Sequence, residues 1–169
     1  MTGADSSMLS VTGGSLFVNA GGDGLDSNGS ISLTGGVVGV WTARTAQEGP
    51  IDFNGTGTLS GTQLIVASEG GFMQGLTGQS MMAVSLTGTM AAGTEIRLLD
   101  ASGNVLAAFA PDSSFSSVTV SSSLLPEGTA CRVICGDQEV YNGPMSNNSG
   151  SFGTYNNGYG NGKTNRHGR

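Results

Sequence analysis

What this sequence has little of excludes several kinds of protein before any motif is read. Its 169 residues include one histidine, His167, close to the C-terminal end. A Ser–His or Cys–His nucleophile pair needs an imidazole inside the fold, so that chemistry is not expected. Lysine is absent before Lys163, and the arginines ahead of it, Arg44, Arg97 and Arg132, lie in different segments. Polysaccharide cleavage by β-elimination, which uses a Lys or Arg base beside a cation, is left without its base. Charged residues are only 11% of the chain, and all 12 acids fall before residue 140. Phosphate contacts need clustered Lys and Arg, so nucleic acid is not an expected partner, whereas divalent cations and neutral sugars are compatible. No run of 18 apolar residues occurs, so no transmembrane helix is expected. Met1–Asp5 has neither a basic nor an apolar leader region, and the chain begins almost inside a repeat. It reads as the C-terminal piece of a longer protein.

Cysteine is also scarce, with only Cys131 and Cys135. Residues four apart in a strand are separated by roughly 13 Å at about 3.3 Å per residue. A disulfide needs Cα atoms within about 7 Å. The pair is therefore expected as small buried thiols on one strand face, with a metal pair or an intermolecular bridge as the alternatives.

What is abundant is glycine, at 30 residues, placed at regular points. Leu9-Ser10-Val11-Thr12-Gly13-Gly14-Ser15-Leu16-Phe17-Val18 returns as Ile31-Ser32-Leu33-Thr34-Gly35-Gly36-Val37-Val38-Gly39-Val40. It returns once more, decayed, as Gly57-Thr58-Leu59-Ser60-Gly61-Thr62-Gln63-Leu64-Ile65-Val66. Apolar residues alternate on both sides of the glycine corner, which predicts two strands meeting at a bend with one face of each turned inward. Stacked copies would place Val11 over Leu33 over Leu59. The fold expected from residues 8–79 is a β-solenoid, each repeat covering the inner face of the next.

A second match lies between the corners. Asp23-Gly24-Leu25-Asp26-Ser27-Asn28-Gly29 aligns with Gly49-Pro50-Ile51-Asp52-Phe53-Asn54-Gly55. Leu25 and Ile51 would point inward, and Asp26 over Asp52 and Asn28 over Asn54 would form outward polar ladders. Stacked about 4.8 Å apart, Asp23, Asp26, Asn28, Asp52 and Asn54 could supply oxygen ligands for a calcium ion. Without a cation, carboxylates that close repel. Plain turn chemistry by Asp-Gly and Asn-Gly remains the competing explanation. Paired carboxylates on adjacent repeats are an unusual platform for flanking a glycosidic bond, so no catalytic residue is assigned and a non-enzyme is expected.

Trp41 follows inward Val38 and Val40 and is expected to point outward, where an indole offers a flat face and an N–H to a sugar ring. Phe53 and Arg44 complete the candidate carbohydrate contacts, and burial of Trp41 beneath residues 41–48 is the alternative. Residues 80–141 change character. Met81–Thr87, Thr94–Leu99, Val105–Phe109, Ser117–Ser121 and Ala130–Ile134 read as short strands, joined by turns at Asp100–Asn104 and Pro126–Gly128. They are expected to form a small antiparallel cap. Residues 1–7 and the Asn/Gly-rich 142–169 are expected to be disordered.

Residues 22–36, Gly-Asp-Gly-Leu-Asp-Ser-Asn-Gly-Ser-Ile-Ser-Leu-Thr-Gly-Gly, resemble a bacterial carbohydrate-binding domain family found in secreted or surface proteins of clostridia and related anaerobes. Ile51–Gly55, Leu59–Gly61, Thr94–Ala110 and the stretches Ser116–Val118 and Leu125–Thr129 are similar to that family in the same order. The resemblance covers about residues 9–140. It implies a calcium-associated right-handed parallel β-helix, shaped like a pectate lyase, that binds polysaccharide of the cellulose or pectin kind without catalysis. Calcium would be carried by Asp23, Asp26, Asn28 and Asp52. Two departures stand out: the family's upstream repeats are missing, and Cys131 takes the place of an expected aromatic residue. The fold expected from the sequence is thus an all-β, right-handed parallel β-helix of about three rungs with an antiparallel C-terminal cap. The function expected is non-catalytic binding of a plant cell-wall type glycan outside the cell. The rival is an adhesive solenoid whose open end stacks on further copies into a homo-oligomer or fibre.

Overall fold

The computed structural model describes residues 5–43, 48–70 and 73–148, and every element among them is a strand. The repeats form as their pattern predicts. β1 (Met8–Ala20) and β3 (Ser30–Thr42) each run through a glycine corner, and β5 (Gly57–Leu59) and β6 (Gln63–Ser68) are the two arms of the third copy. Between corners lie β2 (Leu25–Ser27) and β4 (Ile51–Phe53). All of these pair in parallel, with Val11 opposite Leu33, Leu33 opposite Leu59, and Leu25 opposite Ile51. The corners need glycine: Gly14, Gly36 and Gly61 have φ of 75°, 81° and 66°, where a Cβ is strained.

The expected right-handed parallel β-helix with a separate cap is overturned by the strand order. β7 (Met81–Met90) and β10 (Phe115–Ser122) do not sit on the end of a helix of rungs. They join the same sheet, giving the order β1-β3-β6-β10-β7, in which β10 pairs antiparallel with both β6 and β7. With β5 on β3, the result is one mixed six-stranded sheet. A boundary at residues 79 and 80 therefore runs through a continuous sheet. The remaining strands, β8 (Ile96–Asp100), β9 (Val105–Phe109), β11 (Ala130–Cys135) and β12 (Gln138–Pro144), form an antiparallel sheet in the order β12-β11-β8-β9.

The physical reason lies in β6. All but its first residue are buried, which marks a strand covered on both faces. Leu64 and Val66 face one core with Leu25, Ile31, Leu33, Val38, Val40, Ile51 and Leu59. Ile65 and Ala67 face a second core with Val118, Val120, Ile96, Leu98 and Val133. The six-stranded sheet is thus a central layer, with β2 and β4 on one side and the four-stranded sheet on the other.

That layering corrects the expectation for Trp41. Its side chain does point away from the inner apolar column, but the four-stranded sheet covers that direction. The indole is only 7% exposed, packs in the second core, and donates its N–H to the Ser114 carbonyl at 2.9 Å. Its face is not available to a sugar.

The described structure also extends further at both ends than expected. The Asp5 amide donates to the Asn28 carbonyl and the Ser7 carbonyl accepts from Ser30. Asn142–Pro144 complete β12, and Met145 is buried. Residues 149–169 lie outside the described residues. Cys131 and Cys135 are free thiols buried on one face of β11, as the strand geometry required. Burial pushes the Cys131 thiol up and the Cys135 thiol up to about 11.

Candidate metal centre

The loop from β1 into β2 is drawn tight against the neighbouring repeat. The Gly24 amide donates to the Gly49 carbonyl at 3.1 Å and that of Leu25 to Pro50 at 2.9 Å. A Cβ on Gly24 would collide with Val40 and lie 2.6 Å from the Pro50 oxygen. Only glycine permits this approach, and it places Asp23 beside the following copy: Asp23 Oδ1 accepts the Gly49 N–H at 2.6 Å.

The register of β2 on β4 then sets Asp26 directly opposite Asp52. Because Leu25 and Ser27 are buried, the intervening Asp26 is outward. The carboxylates of Asp23, Asp26 and Asp52 converge, with one oxygen of each within 4.8 Å of the others. Asp26 is exposed, and Asp23 and Asp52 are half-buried. Partial burial of Asp52, and then the negative charges of Asp23 and Asp26, raise its carboxyl above the usual carboxylate value. Among the described residues the ion pairs are Arg97 with Glu95 and Arg132 with Glu139, so no cationic side chain is paired with this trio. Three carboxylates in this arrangement could hold a metal ion.

The other residues singled out in the sequence fall elsewhere. Asn28 and Asn54 stack as expected, but they face one another, Asn54 Nδ2 donating to Asn28 Oδ1 at 3.5 Å. Among the described residues no hydrogen bond joins them to the carboxylates. Phe53 is half-buried at the edge of the inner core, its ring against Gly57, while its amide donates to Gln74 Oε1 at 2.6 Å. Arg44 lies outside the described residues. One group went unnoticed in the sequence. The Glu48 carboxylate lies against Gly22, about 3.3 Å from where a Cβ would stand, and so reaches the loop that carries Asp23. The repeat offset that aligns Asp23 with Gly49 also aligns Gly22 with Glu48, so the signal was present.

Comparison of the chain with protein-family models, with curated proteins and with solved structures finds no match.

Proposed function

We propose that this protein is a non-catalytic module outside the cell that binds a plant cell-wall type polysaccharide with the help of a calcium ion held by Asp23, Asp26 and Asp52. The observation that carries the reading is the convergence of three carboxylates at the surface, with no cationic side chain among the described residues paired to them. Calcium accepts six to eight oxygen ligands. Three carboxylates fill only part of that shell, and the exposure of Asp26 leaves the outward side open to water or to sugar hydroxyls. Hard oxygen donors with no His or Cys among them favour calcium or magnesium over softer metals. The flexible, larger shell of calcium suits ligands drawn from a loop and two strands. With the Trp41 indole buried, the glycan contact in this reading runs through the ion rather than through a stacked aromatic ring.

The test is thermal unfolding with calcium and then with excess chelator, for the wild type and for Asp26→Ala/Asp52→Ala. A ligand at a hundredfold excess over its dissociation constant stabilises by about 2.7 kcal/mol. For a chain of this length that raises the melting temperature by about 5–10 °C. The rise should vanish in the double variant. Retention on insoluble cell-wall polysaccharide should fall with chelator in the wild type. A melting temperature indifferent to calcium would reduce the three acids to turn residues. Retention indifferent to chelator would separate glycan binding from the ion.

A further inference from the structure

Phe17 of β1 lies opposite Gly39 of β3. Its neighbours Leu16 and Val18 pack toward the inner core, so its ring turns to the other side of the sheet, where β9 lies. There it stacks on Phe109, the last residue of β9, with ring centroids 5.7 Å apart and planes 6° from parallel. Glycine at position 39 makes room for the pair. A Cβ there would stand 2.6 Å from the Phe109 ring and 2.8 Å from that of Phe17. Phe109 is buried, while Phe17 is 52% exposed. Asn19, two residues along β1, turns to the same side, and its Oδ1 accepts the Asp112 amide at 3.0 Å. The Ser114 carbonyl accepts the Trp41 indole N–H. These two contacts pin the segment after β9 to the sheet and fix the backbone that carries Asp112.

Between these parts is a groove of about 350 Å³, lined also by Glu95 just ahead of β8. Its size falls in the range of small-ligand sites. Its chemistry is one-sided. Aromatic rings present negative faces, and the other charged groups lining the groove are the exposed Glu95 and Asp112. Among the described residues no Lys, Arg or His lines it. Arg97 stands 3.4 Å from the Glu95 carboxylate, but it also donates to the Gly136 carbonyl at 2.8 Å, so its charge is divided between the two. Among the described residues no ion pair involves Asp112.

A metal ion would find no ligand in the aromatic half of such a groove. A neutral sugar brings acceptors as well as donors, and of the lining side chains only the Asn19 amide can donate to them. A primary ammonium is strongly hydrated and needs an acceptor for each N–H, whereas the Asn19 oxygen is already taken. A quaternary ammonium has no N–H to satisfy and is drawn both to aromatic faces and to nearby carboxylates. We propose that this groove binds a quaternary ammonium group, its methyl groups against the Phe17 ring and its charge toward Asp112 and Glu95. The site does not depend on the calcium and glycan reading, because the three aspartates belong to the β2–β4 side of the six-stranded sheet and the groove to the opposite side.

Choline chloride, titrated into the full chain at constant ionic strength and followed by amide NMR, should shift the signals of Phe17, Asn19 and Asp112 saturably. The dissociation constant expected is on the order of 1 mM. Phe17→Ala and Asp112→Asn should each weaken binding by about two- to fivefold. Asp112→Asn changes one exposed side chain and keeps the amide that holds Asn19, so its melting temperature should match the wild type. Neohexanol, the uncharged carbon analogue of choline, should bind at least about fivefold more weakly. No saturable shift by about 50 mM choline would overturn the proposal. So would equal binding of neohexanol, an affinity for choline unchanged in both variants, or tighter binding of Nα-acetyllysine amide, which carries a primary ammonium.

Discussion

Asp100 shows how much one carboxylate can organise. Its Oδ1 accepts the amides of Ser102 and Asn104, both at 2.9 Å, and its Oδ2 accepts the Asn104 side-chain amide at 2.8 Å. These hydrogen bonds, the Asn104 side chain first, hold its carboxyl below the usual carboxylate value. The stability it contributes is complete above the unfolded-state value of 3.8 and is lost as pH falls through the lowered folded value. Asp100→Ala should therefore lower the melting temperature at neutral pH, with the difference from wild type shrinking toward pH 2, as followed by circular dichroism. The turn was legible in Asp-Ala-Ser-Gly-Asn because an Asp side chain bonds its own backbone two residues on. The fate of Trp41 was not legible. Strand parity gives the side a residue points to, but whether water or another sheet lies there depends on residues 96–135, far away in sequence.

Among elements, the β1–β2 loop and β6 make the clearest contrast. The loop was readable as a turn carrying acids, and the 26-residue offset placed Asp26 against Asp52 correctly. What the sequence did not reveal is how tightly Gly24 is held. Gly24→Ala must push a methyl group into Val40 and the Pro50 carbonyl. The expected loss is about 1–3 kcal/mol by overpacking, seen as a fall in melting temperature of several degrees. The calcium response should weaken as well, because Asp23 moves with the loop; an unchanged response would show that Asp23 is not a ligand. β6 carried the opposite signal. Its unbroken run Leu64-Ile65-Val66-Ala67 resembles a strand covered on both faces, not a solenoid arm with one wet side. The repeat pattern outweighed that run, and the β-helix expectation followed from it.

At the scale of the molecule, the two cores share the six-stranded sheet as a common wall. Residues 8–79 do not complete their own packing: β6 pairs with β10 along one edge and packs into the second core on one face. A chain ending at residue 79 would expose Trp41, Ile65 and Ala67 together with the open edge of β6. It should show no cooperative thermal transition, while the whole chain unfolds in a single one. Two separate transitions in the whole chain would restore an independent N-terminal unit. The sequence by itself determined the all-β class, the parallel register of the repeats, the glycine corners and the two aspartates brought opposite each other. All of these are local or follow from a repeated period, and a repeat specifies its own neighbour. Only the tertiary structure decided that β10 and β7 extend the repeat sheet, that a second sheet buries Trp41, and that the loop at Gly24 closes on Val40 and Pro50. Those contacts unite segments with no shared period, through burial on a face and close approach of a loop, which no alternation of residue types records.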